Sequence, residues 1–317
     1  MKKRNINFKI LIKIFFSLLI LFFLIYFLDF KTIYTSFLKV SLTALIISTL
    51  LNHFAWILSS WKLNLLLKNK LTILIRLQYI SILFSYILPG QIAGEGYKLI
   101  KISKDSGYSK ASSIIIIDRI TGFIGIVILA TFGIFLSSKE IPNIIKILFI
   151  LSNFLLLLPF LIIGKIQILI EKYLKNSNAK RSKYLIPLQN FISHWILLQK
   201  NKIRFLALIV SGVFFQFILV YINYFLGKSI GINIPIYDWL WIFGLISLAL
   251  FLPVTYAGLG IREASMISLL ALFSIEPEKS MLLSFLILGI QLTGVSIGFL
   301  MNLQSESQLS FKISDES

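Results

Sequence analysis

The sequence predicts an all-α polytopic membrane protein, with about six full transmembrane helices and two re-entrant hairpins arranged as an inverted repeat. The first observation is composition, because 57% of the residues are hydrophobic and only 14% are charged, against about a quarter in soluble domains. The second is that apolar runs of around 20 residues recur, each long enough to cross a bilayer as a helix. The third is one motif that occurs twice.

The apolar runs predict the transmembrane and hairpin segments. They cover 10–28, 42–67, 71–88, 111–137, 143–164, 203–227, 238–253 and 280–301. Shorter helical stretches follow at 96–105 and 261–273. Residues 1–303 are therefore expected to form a single membrane domain, and the polar tail 304–317 is expected to be disordered.

The repeated motif spans 88–98 (LPGQIAGEGYK) and 252–262 (LPVTYAGLGIR). Both copies fit Leu-Pro-x-x-x-Ala-Gly-x-Gly-x-Lys/Arg without gaps, which makes chance a poor explanation. Proline cannot continue a helix that needs its N–H group, and glycine permits left-handed turns and close approach. The motif thus predicts a break within each of two membrane helices, and a purely structural kink is the alternative.

The distribution of Lys and Arg predicts the topology. If all eight apolar runs crossed the membrane, two basic connections, 89–110 and 165–204, would face outside, against the positive-inside rule. If 71–105 and 238–275 instead enter and return on the same side, both connections become cytoplasmic, on the same side as the basic N-terminus. We therefore expect re-entrant hairpins and a cytoplasmic N-terminus.

Crossing parity then predicts inversion of the two halves. Repeat one (about 42–137) and repeat two (about 203–301) each contain a helix, a hairpin and a helix, and three crossings separate their starts. The connection 165–202 is basic and amphipathic, and we expect it on the cytoplasmic leaflet, either recognising lipid head groups or only tethering the halves. Inverted repeats with broken helices are a transporter architecture with binding near the midplane.

The motif residues are the candidate binding site. A half-helix that begins near Glu95 or Ile261 would direct free backbone N–H groups at the break and bind an anion there. Cations at membrane depth are costly, so Lys98 and Arg262 suggest function. Helix neighbours do not face each other, so we expect Arg262 and Glu263 not to pair locally. A ligand or a partner across the repeats is predicted, with a structural salt bridge between the hairpins as the alternative.

Asp118 and Arg119 lie about two turns into the helix 111–137 and point about 100° apart, so they are expected to bind different partners. Snorkelling of Arg119 to the interface is as plausible as a site role. The candidate substrate-binding residues are Pro89, Gly90, Gly94, Glu95, Gly96, Lys98, Asp118, Arg119, Gly258, Gly260, Arg262 and Glu263.

Several chemistries find no support in the sequence. The chain has no cysteine and two histidines, so we expect no metal site and no other cofactor. No nucleotide-binding glycine loop is visible. The net charge of +18 would suggest nucleic acid in a soluble protein, but in a membrane protein such an excess is usually topogenic. We therefore expect lipids rather than nucleic acid as partners.

Three stretches resemble the lysylphosphatidylglycerol synthase transmembrane (flippase-like) family. Residues 89–98 are similar to its PG-x-x-GG(D/E)-x-x-(R/K) signature, with Ala93 in place of a glycine. Residues 118–122 (DRITG) resemble its (D/E)R-x-x-G helix, and 257–263 (AGLGIRE) its G-x-GxRE element. The resemblance implies a multi-pass protein of the bacterial inner membrane that moves lipids between leaflets, here expected without the aminoacyl-transferase domain of some members.

The leading functional hypothesis is therefore a flippase-like transporter of an anionic or zwitterionic lipid. Its phosphate would be held by Lys98, Arg262 and Arg119 in a cavity between the hairpins. A membrane-embedded head-group transferase, using Glu95 or Asp118 as a base, is the first alternative. A non-catalytic accessory subunit that binds a partner enzyme of lipid or envelope synthesis is the second.

Overall fold

The computed structural model describes residues 29–87, 92–137, 139–175, 179–251 and 258–304, together with residues 19, 22, 26 and 255. The regular secondary structure of this part of the chain is all helical and includes no strand. Its helices are α1 (Phe30–Leu38), α2 (Leu42–Leu67), α3 (Leu71–Ile87), α4 (Ile92–Ser106), α5 (Tyr108–Leu136), α6 (Asn143–Lys175), α7 (Ala179–Lys200), α8 (Lys202–Ser229), α9 (Ile236–Phe251), α10 (Ile261–Ala271) and α11 (Pro277–Leu303).

Helices α2, α5, α8 and α11 are long and apolar enough to cross a membrane. They contain 26 to 29 residues each, which corresponds to roughly 40 Å of helix against roughly 30 Å of hydrocarbon. The chain is therefore a multi-pass membrane protein, as its composition predicts. Helix α6 continues to Lys175, well beyond the predicted end at 164. The predicted first crossing (10–28) and the tail 305–317 lie outside the described residues, apart from three positions of the former.

Both predicted helix breaks are present. Helix α3 ends at Ile87 and α4 begins at Ile92, while α9 ends at Phe251 and α10 begins at Ile261. In each pair the two helices pack against each other. Each pair thus forms a helical hairpin, which we call hairpin one (α3 and α4) and hairpin two (α9 and α10).

The motif glycines of the two hairpins differ in backbone conformation. Gly258 and Gly260 have φ values of 77° and 88°, in the left-handed region that glycine permits. Gly94 and Gly96 lie within helix α4, which begins at Ile92, so the left-handed turns that glycine permits are not used there. Gly94 serves close approach, since a Cβ there would overlap the Ser85 side chain and the Ser81 carbonyl.

Small residues let the two halves pack closely. A Cβ at Gly125 of α5 would come within 2.8 Å of the backbone of Gly212 in α8. A Cβ at Gly294 or Gly298 of α11 would overlap Trp56 or the Tyr79 carbonyl, respectively. Close helix crossings at small residues are typical of membrane proteins. The interior is therefore built from α2, α3, α5, α8, α9 and α11 in direct contact.

The amphipathic helix α7 packs against its neighbouring helices. Ile192 and Trp195 are buried in a cluster that includes Ile117 of α5 and Leu208 of α8. Asn190 Nδ2 donates to Ser109 Oγ at 2.8 Å. Part of the apolar side of α7 thus packs against α5 and α8.

Candidate functional site

A buried ion pair joins α2 and α5. Lys62 Nζ lies 2.9 Å from Asp118 Oδ1 and also donates to the Asp118 backbone carbonyl at 2.9 Å. Both side chains are almost fully buried. The sequence analysis names no partner in α2 for Asp118. The lysine was nevertheless visible as a cation inside an apolar helix.

Glu95 connects hairpin one to α5. Its Oε1 atom lies 3.2 Å from Lys98 Nζ, one turn along the same helix, and 2.7 Å from Arg119 in α5. Asp118 and Arg119 therefore bind different partners, as their 100° separation predicts. One carboxylate here serves two cations, so the group formed by Lys62, Glu95, Lys98, Asp118 and Arg119, which we call the first cluster, has an excess of one positive charge.

Arg262 is the centre of a second cluster, formed with Glu263, Ser284 and Gln291. Its Nε donates to Ser284 Oγ at 3.0 Å, one terminal nitrogen to Gln291 Oε1 at 3.0 Å, and the other to Glu263 Oε1 at 3.0 Å. Ser284 donates in turn to Glu263 Oε1 at 2.8 Å. Glu263 is completely buried and balances the arginine charge.

The prediction that Arg262 and Glu263 do not pair locally is wrong. Glu263 turns back toward the start of α10, where its Oε2 accepts the Gly260 backbone N–H at 2.6 Å, and its other oxygen lies within reach of the long arginine side chain. The predicted pairing across the repeats is not seen among the described residues of the motifs, since Lys98 pairs with Glu95, Asp118 with Lys62 and Arg262 with Glu263. The protein's own carboxylate thus occupies part of the predicted anion site at this helix N-terminus.

A cavity of about 280 Å³ lies between the two clusters. Arg119 and Arg262 both line it, one from each half of the chain. The Arg119 side chain is 42% exposed. Other polar lining residues are Asn52, Tyr86, Gln216, Asn223, Ser247 and Gln291, and the remaining lining residues are apolar.

Gln291 links the hairpins across this cavity. Its Oε1 accepts from Arg262 of hairpin two and from the Tyr86 hydroxyl at the end of α3 in hairpin one. The sequence analysis did not select Gln291, Tyr86 or Asn52. A glutamine in the middle of the apolar run 280–301 was the signal that could have identified the first of them.

The predicted site residues therefore separate into groups. Arg119 and Arg262 face the cavity, whereas Glu95, Lys98, Asp118 and Glu263 support them or lie in neighbouring ion pairs without lining it. Gly94, Gly96, Gly258 and Gly260 shape the hairpins. Pro89 and Gly90 lie outside the described residues.

Spanning helices, two helical hairpins and a cavity with two arginines define a polytopic α-helical membrane protein with a polar internal site. Over residues 10–298 the sequence matches the family described as the lysylphosphatidylglycerol synthase TM region. The chain belongs to this family, as its three motifs indicate. No curated protein and no solved structure matches it significantly.

Proposed function

We propose that this protein moves a membrane lipid with an anionic or zwitterionic phosphate-containing head group between the two leaflets. The observation that carries the proposal is that Arg119 and Arg262, from the two halves of the chain, line one cavity. Guanidinium groups bind phosphate with two parallel hydrogen bonds. The apolar remainder of the lining would accompany the glycerol and the start of the acyl chains.

The charge of the first cluster supports this role. Glu95 neutralises only one of Lys98 and Arg119, so an incoming phosphate would supply the missing negative charge. Ionisable residues within membrane segments mark substrate pathways in many membrane proteins. Arg262, by contrast, already has Glu263 as its counter-ion. Its two terminal nitrogens each donate one hydrogen bond to a described side chain, and each carries a second N–H that would donate to the phosphate.

The proposed mechanism places the hairpins as re-entrant elements of an inverted repeat. Helices α3 and α9 contain 17 and 16 residues, or roughly 25 Å, which is short of the roughly 30 Å needed to cross. If α3, α4 and α5 of one half correspond to α9, α10 and α11 of the other, their contacts correspond too. Helix α3 packs on α11, and its equivalent α9 packs on α5. Helix α4 packs on α5, and its equivalent α10 packs on α11. Rocking of two such halves around a fixed site would expose it alternately to each leaflet.

The cellular setting follows from the same proposal. The protein would reside in a bacterial inner membrane with its N-terminus in the cytoplasm. Reporter fusions after Lys104 and after Lys180 should both be cytoplasmic. An external reporter at 104 would exclude a re-entrant hairpin one while leaving the cavity unaffected.

The transferase alternative is less well supported. Glu95 and Asp118, its candidate bases, both lie in close ion pairs with cations. Neither of them lines the cavity, so neither is placed against a head group held there.

The direct test is translocation of a fluorescent phospholipid in proteoliposomes containing the whole chain. Arg119→Gln should reduce the rate about tenfold or more, the effect expected when one charged hydrogen bond to the substrate is lost. Arg262→Gln combined with Glu263→Gln should do the same without leaving a buried charge unpaired. The matched control, Lys139→Ala with Lys228→Ala, removes two exposed cations outside the cavity and should have no effect. Unchanged translocation in both cavity variants would refute the proposal.

A further inference from the structure

We infer that the cavity selects an anionic head group in which phosphate is esterified to a polyol, such as glycerol or a sugar, and that it rejects head groups ending in an amine. This inference rests on the proposed function and narrows its substrate class. It is drawn from the charges and hydrogen-bonding groups of the cavity walls.

The charges of the lining favour an anion without an attached cation. Among the described residues that line the cavity, Arg119 and Arg262 carry charge and none is acidic. The nearest carboxylates are already engaged: Glu95 with two cations, Asp118 with Lys62, and Glu263 with Arg262. An ammonium group in the cavity would therefore meet two guanidinium groups and no free carboxylate, which is a strongly unfavourable arrangement.

Asn52 provides an unused hydrogen-bond donor. The residue is only 4% exposed and lines the cavity, yet its Nδ2 donates to no group in the described part of the chain. A buried donor without an acceptor is destabilising, so such groups in native proteins usually have a partner. A phosphate or hydroxyl oxygen of a ligand would provide one.

The other polar groups suit hydroxyls. Gln216, Asn223 and Gln291 offer amides, while Tyr86 and Ser247 offer hydroxyl groups. Side-chain amides and hydroxyls both donate and accept, as do the hydroxyls of glycerol and sugars. Asn223 uses its amide nitrogen on the Leu219 carbonyl at 2.8 Å, which leaves its oxygen oriented as an acceptor.

The size of the cavity is compatible with a small head group. Its volume of about 280 Å³ is near the lower end of the roughly 300–1,000 Å³ found for small-molecule sites. A glycerol phosphate would occupy it, while an added aminoacyl chain would increase both its bulk and its positive charge.

Binding tests this selectivity independently of transport. The purified full-length protein is titrated in detergent with phosphatidylglycerol, lysylphosphatidylglycerol and phosphatidylethanolamine, and bound lipid is measured by native mass spectrometry. Phosphatidylglycerol should bind about tenfold more tightly than either amine-bearing lipid, because like charges brought together in a desolvated site oppose binding by at least that factor. Equal or tighter binding of lysylphosphatidylglycerol would overturn the inference.

Two variants of Asn52 connect the preference to the cavity. Asn52→Leu should weaken phosphatidylglycerol binding severalfold without lowering the thermal stability, because its Nδ2 has no partner to lose among the described residues. Asn52→Asp should reverse the order by supplying a carboxylate for the ammonium. The control Asn64→Asp preserves the oxygen that accepts the Asn69 N–H at 2.8 Å outside the cavity and should keep the original order. An unchanged order in Asn52→Asp would also overturn the inference.

The same lipids assayed for translocation separate the two proposals. If phosphatidylglycerol binds selectively but no lipid changes leaflet, the proposed transport fails and the selectivity stands. If lysylphosphatidylglycerol is translocated faster than phosphatidylglycerol, transport stands and the selectivity fails.

Discussion

Hairpin one and hairpin two carry the same sequence motif but hold their charges in different ways. In hairpin one, Glu95 pairs with Lys98 in its own helix and with Arg119 in α5, so a charged contact crosses between elements. In hairpin two, Arg262 and Glu263 neutralise each other within α10, and neutral side chains of α11 complete the network. Hairpin one with Arg119 therefore has one positive charge more than Glu95 balances, whereas the charge of Arg262 in hairpin two is balanced by Glu263.

The largest loss of stability is expected when Glu263 is removed from its network with Arg262. Glu263→Ala would leave Arg262 buried without its carboxylate and remove the acceptor for Ser284 and the Gly260 N–H. Breaking a buried ion pair from one side destabilises by about 3–5 kcal/mol. The measurement is the free energy of unfolding in detergent micelles.

An exposed ion pair provides the control for this variant. Glu276 and Lys279 lie 3.0 Å apart, with the carboxylate side chain 57% exposed. Glu276→Ala should cost about 0–1 kcal/mol, as is typical of surface pairs. Similar losses of unfolding free energy for Glu263→Ala and Glu276→Ala would mean that the buried pair of hairpin two stabilises the protein no more than a surface pair does.

A smaller loss is expected in the first cluster. Asp118→Asn removes the negative charge beside Lys62, but the lysine keeps its 2.9 Å bond to the backbone carbonyl of residue 118. The remaining charge-assisted bond should limit the destabilisation to about 2 kcal/mol. The same unfolding assay measures it.

Adding Lys62→Met to Asp118→Asn should recover most of this stability, because the unpaired buried cation is then removed. If the double variant is no more stable than Asp118→Asn alone, Lys62 does not depend on Asp118. The contrast between the two clusters would then need another explanation.

The sequence predicted the elements better than the contacts within them. The apolar runs located α2, α5, α8 and α11, and the Pro/Gly motif located both helix breaks, because these depend on local composition. The partner of Asp118 could not be predicted in the same way, since Lys62 lies 56 positions earlier and only helix packing brings it near. The pairing of Arg262 with Glu263 could not be predicted from helix spacing. At the start of α10 the Gly260 N–H donates to the Glu263 carboxylate, and this hydrogen bond turns the carboxylate back toward the helix N-terminus, within reach of Arg262.

The smallest expected effects compare equivalent glycines of the two hairpins. Gly96 and Gly260 occupy the same motif position, but Gly96 is helical with open space around it, whereas Gly260 has a φ of 88°. Gly96→Ala should stabilise the protein by about 0.5–1 kcal/mol, because alanine loses less conformational freedom on forming a helix. Gly260→Ala should destabilise it by about 1–2 kcal/mol, because a Cβ is strained in the left-handed region. Unfolding of the two variants in parallel measures both signs, and Gly107→Ala, at a φ of 77° with open space outside the hairpins, isolates the strain of a positive φ. If both hairpin substitutions stabilised the protein, Gly260 would have to be helical like Gly96. The two hairpins would then not differ in backbone conformation at this motif position.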